Sequence, residues 1–235
     1  RRLCLRSCAL PDAAAEELGR EALPRLTALE VLDLSGARHV TARGWAALAR
    51  GLSTGARASL RVLLLEDCPG LDAASTAALL GVGVGGVTPL SMLRALCLSC
   101  GLDRRALQGV EAALWGGGLP SLRVLAIDQL RAEVVDALRG AGLEELVVFG
   151  GSVEEVDVAA ALGAVMRDMP RLRRLHMNVT PSAAEALSVA IATGPAMPSL
   201  EHVQILGMRP SGFEGDAVRE EAALRCGRVL EEAVQ

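Results

Sequence analysis

The sequence predicts an α/β solenoid, a stack of repeated units in which parallel strands line one face and helices line the other. Three observations support this prediction. The aliphatic pattern Leu-x-x-Leu-x-Leu, with conservative replacements, recurs along most of the 235-residue chain. Segments rich in Ala and Leu, with apolar residues at helical spacing, lie between the copies. Each copy is too small to bury its own leucines, so neighbouring copies must stack and share one continuous core.

The copies of the aliphatic pattern define the predicted strands and their order. Seven copies begin at Leu29, Leu60, Leu93, Leu122, Leu143, Leu172 and Leu200. Leu3 and Leu5 fit an eighth copy whose first position would precede the first residue. Most copies start 28 to 33 residues apart, which leaves room for a strand, a turn and a helix with a right-handed crossover. The unit that begins at Leu122 spans only 21 residues, so its helical side should be shorter.

The predicted helices carry apolar stripes and capping residues. Trp45, Leu48 and Leu52 have the spacing of one helical face. Candidate N-cap residues precede four of the helical segments: Asp72, Asp103, Ser152 and Ser182. The two serines are followed three residues later by Glu155 and Glu185, which is the spacing of a capping box. The many Ala and Gly residues of these segments should let neighbouring helices approach closely.

Residues 1 to 210 form the predicted solenoid, and residues 211 to 235 form a separate C-terminal element. In this tail, Val218, Ala222 and Val229 have near-helical spacing, and another side of the tail is rich in Glu. We therefore expect the tail to close the stack as a cap or as the helix of a last repeat. Because no equivalent cap precedes Arg1, we expect that the protein continues upstream or that another chain covers that end.

The motif is similar to that of the leucine-rich repeat family over about residues 1 to 210. Unit lengths near 28 or 29 residues with a helix in each unit resemble the ribonuclease-inhibitor-like subfamily, whose ninth position is often Cys or Asn. Cys8 and Cys68 occupy that position here, whereas the other units have different residues. Two units, VLDLSGARHVTARGWAALARGL and LLLEDCPGLDAASTAALL, also resemble the cysteine-containing repeats of F-box proteins. The resemblance implies a horseshoe of about eight repeats with a concave parallel sheet and convex helices.

Composition and charge narrow the function classes. The net charge is −4, so the chain lacks the basic excess expected of a nucleic-acid-binding groove. The longest uncharged run, residues 73 to 93, is interrupted by glycines and Pro89, which argues against membrane insertion. Six cysteines without an obvious pairing pattern fit a reducing compartment. We expect a cytoplasmic location.

Three motifs with potential chemistry have simpler structural explanations. Cys97 and Cys100 form a Cys-x-x-Cys pair, but a zinc site needs a second ligand pair, and Cys97 falls on a strand. The run from Gly81 to Gly86 matches Gly-x-Gly-x-x-Gly, but it follows a helical segment instead of opening one. The three histidines lack a nucleophile at a recognisable spacing. We therefore expect no cofactor, no metal and no enzymatic activity.

The candidate binding residues lie on the predicted concave face. Because side chains alternate along a strand, the third, fifth and seventh positions of each copy point away from the core leucines. The predicted partner-binding residues there are Val62, Leu64, Glu66, Val124, Ala126, Asp128, Val147, Phe149, Arg174, His176, Asn178, His202 and Gln204. The middle of this set is apolar, as is typical of a protein-binding patch. The last two copies contribute polar residues, which either set specificity or form a solvated end.

These observations predict a non-catalytic scaffold that binds a protein partner, of a kind the sequence does not specify, through its concave face. The resemblance leaves three alternatives. The F-box-like units fit the substrate-recognition part of a ubiquitin-ligase receptor, which an F-box upstream of Arg1 would identify. A Ran-type GTPase-activating regulator would accelerate GTP hydrolysis by its GTPase. The terminal part of a nucleotide-binding immune receptor would require an upstream P-loop domain.

Overall fold

The computed structural model describes residues 1–82, 90–98, 104–153, 156–193 and 199–207. It divides into two compact units: unit 1 comprises Arg1–Leu122, and unit 2 begins at Arg123. Several predicted features lie outside the described residues, namely positions 83 to 86 of the glycine run, Cys100, Asp103, Glu155, the tail at 211 to 235, and the side chains of Phe149 and Ser152.

Unit 1 contains four parallel strands that follow one another in chain order. The strands are β1 (Arg2–Cys4), β2 (Val31–Asp33), β3 (Val62–Leu64) and β4 (Ala95–Leu98). The helices are α1 (Asp12–Glu17), α2 (Ala42–Thr54), α3 (Ala73–Leu80) and α4 (Arg104–Trp115). The strands pair in register through Leu3, Leu32, Leu63 and Leu96. The aliphatic pattern therefore marks the strands of this unit, as predicted.

The core of unit 1 lies between the strands and the helices. Leu32, Leu63 and Leu96 are buried on one side of the sheet, which we call the core side. Because the strands follow chain order and crossovers are right-handed, every connecting helix lies on that same side. Trp45 and Leu48 of α2 are fully buried, which confirms the apolar stripe predicted from their spacing.

Two glycines bring α2 against the helical segment that continues α1. This segment is a π-helical turn, Leu18–Ala22, followed by the 3-10 turn Leu23–Arg25. A Cβ atom on Gly51 would overlap the backbone carbonyl of Gly19, and one on Gly19 would overlap the carbonyl of Ala47. The two backbones are therefore in direct contact, which agrees with the prediction that small residues allow helices to approach closely.

Helix α3 is capped at both ends. Asp72 is the N-cap of α3, and its carboxylate accepts a hydrogen bond from the backbone N–H of Ser75 at 2.7 Å, as predicted. Gly81 ends the same helix with a φ of 90°, a left-handed conformation that glycine adopts without steric cost. The first glycine of the glycine run thus terminates a helix, whereas the first turn of a dinucleotide-binding loop opens one.

Unit 2 repeats the same arrangement. Its strands are β5 (Val124–Ile127), β6 (Glu145–Val153), β7 (Arg174–Val179) and β8 (His202–Gly207), and its helices are α5 (Ala132–Ala137), α6 (Val156–Val165) and α7 (Pro181–Thr193). The strands are parallel and in chain order, with a register shift in β6 after Val148. Helix α5 has only six residues, which confirms the shortened helical side predicted for this repeat.

The capping box predicted at Ser182 is wrong. Helix α7 begins at Pro181, so Ser182 already lies in its first turn. The hydroxyl of Thr180 accepts a hydrogen bond from the backbone N–H of Ala183 at 3.3 Å instead. Proline is favoured at the first helical position because its fixed φ suits a helix and its missing N–H would have no partner there. This preference moves the cap two residues toward the N-terminus.

The fold class is therefore α/β, with parallel strands alternating with helices in both units. Within the described part of the chain, no helix has both the length and the apolar character required to cross a membrane. The strands leave a second side, opposite the core leucines, which we call the β-face. The predicted binding residues belong to this β-face or to the strand ends next to it.

Candidate functional site

The apolar residues predicted to form an exposed stripe are buried. Val62 and Leu64 on β3 are 0% and 4% exposed, and Ala126 and Val147 in unit 2 are 2% and 4% exposed. The predicted exposure is therefore wrong for these four side chains, whereas Val124 is half-buried. The strands concerned are apolar on both sides, a pattern typical of parallel strands that are covered on both faces. Alternation identifies the face correctly, but it does not show whether that face meets water.

The β-face of unit 1 carries a network of paired charges and thiols. Arg6 forms ion pairs with Glu66 and, at 3.9 Å, with Asp33. The thiol of Cys4 lies 3.5 Å from a carboxylate oxygen of Asp33, and that of Cys97 lies 3.4 Å from one of Glu66. Glu66, one of the predicted binding residues, is thus already engaged by neighbours within the same unit. Cys97 is a buried hydrogen-bond donor on a strand.

Cys68 occupies the ninth position of its repeat and is buried beside the turn that follows β3. Its thiol lies 3.5 Å from the backbone carbonyl of Leu34 and 3.3 Å from that of Glu66. Burial raises the pKa of this thiol from 9.0 to about 12. Cys68 is therefore a neutral, unreactive side chain that links the turns of two successive repeats.

A cluster of polar side chains lies on the β-face of unit 2. We call it the polar cluster, and its members are Glu145, Arg174, His176, His202 and Gln204. The sheet register places Glu145, Arg174 and His202 side by side on β6, β7 and β8. His176 and Gln204 form the next row, two residues further along the same strands. The parallel ladder therefore fixes the spacing of all five groups.

Glu145 organises the polar cluster from its buried centre. Its carboxylate is almost inaccessible, whereas Arg174 and His202 are exposed. The Nε atom of Arg174 lies 2.9 Å from the carboxylate, and the Nε2 atom of His176 lies 3.7 Å from it. A charge-assisted bond to a buried carboxylate restricts the guanidinium to one orientation. Arg174 is consequently held in place while part of it remains at the surface.

The imidazole of His176 is fixed by contacts on the neighbouring strand. Its Nδ1 atom lies 3.1 Å from the side-chain oxygen of Gln204, so Nδ1 carries the proton when that oxygen accepts the bond. The rings of His176 and His202 have centroids 5.2 Å apart and are tilted by 40°. This arrangement offers hydrogen-bond donors, acceptors and two flat aromatic rings within one small area.

The structure brings together four of the predicted polar residues: Arg174, His176, His202 and Gln204. Asn178, further along β7, is buried, and Asp128, just after β5, is half-buried. Sequence reasoning placed Glu145 on the same face but left it out of the binding set. The signal that could have identified it is an acidic residue at the same repeat position as Arg174 on the next strand.

Metal binding and similarity to known proteins add little to this geometry. Among the residues that the structure describes, no group of three His, Cys, Asp or Glu side chains is placed to hold a metal ion. No protein-family model matches the chain, and no curated protein matches its sequence. What the structure itself shows is a repeated unit of strand, turn and helix with in-register parallel strands.

Proposed function

We propose that this chain is a non-catalytic interaction scaffold that binds a protein partner through the polar cluster of unit 2. The observation that carries the proposal is the buried Glu145, which holds Arg174 in position at the edge of the cluster at 2.9 Å. A surface arginine without such a partner has many rotamers, and binding would have to fix one of them. Here the strands and the carboxylate have already fixed it.

The chemistry of the cluster favours a partner that offers hydrogen-bond acceptors. A guanidinium presents several N–H groups in a planar fork and binds carboxylates or backbone carbonyls well. His202, exposed beside it, adds a ring that can stack or donate a hydrogen bond. Arginine and aromatic rings are the residue types in which binding energy at protein interfaces is concentrated. Groups held on strands are also more precisely placed than groups on loops.

The repeat pattern supports a finer assignment within the same proposal. We assign the chain to the leucine-rich repeat proteins of the ribonuclease-inhibitor-like type, because the Leu-x-x-Leu-x-Leu motif coincides with the strands. The bonds from the Cys68 thiol to two backbone carbonyls give the ninth-position cysteine a structural role. Cys4, Cys8 and Cys68 are free thiols, which fits a scaffold that works in a reducing compartment such as the cytoplasm.

Photo-crosslinking tests the proposal directly. A photoreactive amino acid is placed at position 202 in the polar cluster or at position 189 on α7, where Val189 is exposed. We expect one protein to be captured from position 202 and not from position 189. Its affinity should then fall at least tenfold for Arg174→Ala, as measured by titration calorimetry. Equal capture at the two positions, or unchanged affinity in Arg174→Ala, would contradict the proposal.

A further inference from the structure

A charged residue directly precedes every strand, and within each unit these residues form a row where the strands begin. We call it the entry row. In unit 1 its members are Arg1, Glu30, Arg61 and Arg94, and in unit 2 they are Arg123, Glu144, Arg173 and Glu201. Within each unit, the backbone N–H of each member donates a hydrogen bond to the carbonyl of the member before it. Neighbouring members are therefore about 4.8 Å apart, the spacing of paired strands.

The charges of the entry row alternate in unit 2. The guanidinium of Arg123 lies 3.4 Å from the carboxylate of Glu144, and that of Arg173 lies 2.6 Å from the carboxylate of Glu201. Each arginine of this row thus has an acidic neighbour on the adjacent strand. Opposite charges side by side on neighbouring strands stabilise a sheet, and this row carries no net charge.

The alternation breaks in unit 1 between Arg61 and Arg94. Arg1 lies 3.1 Å from Glu30 and forms an ion pair with it. Arg61 and Arg94, which we call the arginine doublet, form no ion pair and no side-chain hydrogen bond with any residue that the structure describes. Three arginines and one glutamate give this row a net charge of +2. Like charges directly opposite each other destabilise a sheet, so the doublet lacks the acidic neighbour that the same row has in unit 2.

The arginine doublet lies at the surface of unit 1. Arg94 is exposed, and Arg61 is half-buried. Met92, two residues before Arg94, is a large apolar side chain that is nevertheless 38% exposed. Its flexible thioether adapts to the shape of an apolar ligand group. This surface therefore offers two cations and an apolar contact close together.

The chemistry of the arginine doublet fits a carboxylate ligand. A guanidinium presents its N–H groups in a planar fork that matches the two oxygens of a carboxylate. Two guanidiniums on adjacent strands can bind one carboxylate between them or one carboxylate each. Either arrangement reduces the repulsion between the two cations. The ligand then supplies the negative charge that Glu144 and Glu201 supply in unit 2.

An acidic peptide fits this surface better than a nucleic acid does. A nucleic acid carries a phosphate at every nucleotide and is bound along an extended basic surface. The arginine doublet has only two cations, and the whole chain has a net charge of −4. A short acidic segment requires no more than two cations, and an apolar residue beside its carboxylate can contact Met92.

We propose that the arginine doublet binds an acidic segment of a protein partner, in which an apolar residue next to the acidic one contacts Met92. This interaction surface belongs to unit 1 and goes beyond the proposed function, which rests on the polar cluster of unit 2. Neither claim depends on the other, so each can fail while the other holds.

Selection from a peptide library tests the class of ligand. Phage displaying random peptides are first depleted on Arg94→Glu, which gives unit 1 the alternating charges of unit 2, and are then selected on the full wild-type chain. The depletion removes peptides that bind elsewhere on the protein. We expect the selected peptides to be at least threefold enriched in Asp and Glu that adjoin an apolar residue. No survivors after depletion, or survivors without acidic enrichment, would overturn the proposal.

Fluorescence anisotropy of the most enriched peptide then measures the contribution of each charge. Its affinity should fall at least tenfold for Arg94→Glu, and equally when its acidic residues are replaced by their amides. The matched control, Arg50→Glu, makes the same charge change at an exposed position on α2 and should leave the affinity within twofold. An equal loss in Arg50→Glu would mean that net charge alone drives binding and would overturn the proposal. Tighter binding of a thymidine oligonucleotide than of the peptide would overturn it as well.

A stability measurement separates lost binding from lost structure. The urea midpoint of Arg94→Glu should equal or exceed that of the wild type, because the substitution removes the repulsion within the entry row. If the midpoint falls instead, Arg94→Gln decides the question, since it removes the cation without adding a charge. The peptide should bind Arg94→Gln at least threefold more weakly than the wild type. Unchanged affinity in Arg94→Gln would overturn the proposal.

Discussion

Two buried ionisable groups, Glu145 in unit 2 and Arg57 in unit 1, have opposite surroundings. In unit 2, the buried Glu145 is matched by Arg174 and His176 on the adjacent strand. In unit 1, Cys68 stays neutral because burial raises the pKa of its thiol to about 12, and Arg57 has no hydrogen-bond partner among the residues that the structure describes. Arg57 is 2% exposed, and no residue that the structure describes accepts a hydrogen bond from its guanidinium.

The position of Arg57 in its repeat makes this contrast sharper. Arg57 lies three residues before the first leucine of its copy, where three later repeats have Leu90, Leu119 and Met169. Those three side chains are buried. Arg57 thus occupies an apolar position, and the loss of hydration lowers the pKa of its guanidinium. In unit 2, the buried carboxylate of Glu145 positions Arg174. In unit 1, the buried guanidinium of Arg57 has no hydrogen-bond acceptor among the described residues.

The largest effect is expected from removing that charge. Arg57→Leu should raise the free energy of unfolding by roughly 2 to 3 kcal/mol, because an unsatisfied buried polar group is replaced by the side chain that other repeats use. Urea denaturation measures the change. Arg25→Leu, an exposed position in the preceding repeat, should change the stability by less than about 0.5 kcal/mol. Destabilisation by Arg57→Leu would show that the guanidinium has an essential partner.

The next effect concerns Cys68 and alkaline pH. The thiol has a pKa of 9.0 when unfolded and about 12 when folded, so its stabilisation is complete below pH 9 and is lost as the pH rises toward 12. Between pH 9 and 11 the protein should lose roughly 2 kcal/mol of unfolding free energy that Cys68→Ala does not lose. Denaturation of both proteins at several pH values tests this. Parallel curves would mean that the thiol ionises equally easily in both states.

The smallest of the three effects tests the pairing in unit 2. Glu145→Gln keeps the shape of the side chain but removes its charge, and it should cost about 1 kcal/mol of unfolding free energy. Glu144→Gln is a matched control, because Glu144 pairs with Arg123 at 3.4 Å while its side chain is 44% exposed. That control should change the stability by less than about 0.5 kcal/mol. If the two substitutions have equal effects, burial adds nothing to the Glu145 pair, and the contrast between the units fails.

The sequence was sufficient for the parts of the fold that depend on periodicity. The spacing of Leu32, Leu63 and Leu96 predicted the strands, and the short interval after Leu122 predicted the six-residue helix α5. Alternation also assigned Val62 to the correct face. Burial of that face could not be predicted, because alternation assigns a residue to one face of a sheet but does not show whether that face meets water.

The site was predictable only in part, for a similar reason. Arg174, His176, His202 and Gln204 were identified because their repeat positions are polar on adjacent strands. The role of Glu145 depends on distances between side chains of neighbouring strands, which a repeat alignment does not contain. The burial of Arg57 is not predictable from the sequence, because arginine is usually a surface residue. The spacing of Ser182 and Glu185 fits a capping box, but Pro181 favours the first helical position, which leaves Thr180 to cap the helix.

The backbone contact between Gly19 and Gly51 has a consequence for protein engineering. These glycines belong to successive repeats, and each fills space that a side chain on the other would need. A repeat transplanted from this region into another array should therefore carry its neighbour with it as a two-repeat cassette. Split between foreign modules, either glycine would meet a helix with ordinary side chains, and the graft would begin with a steric overlap at its junction.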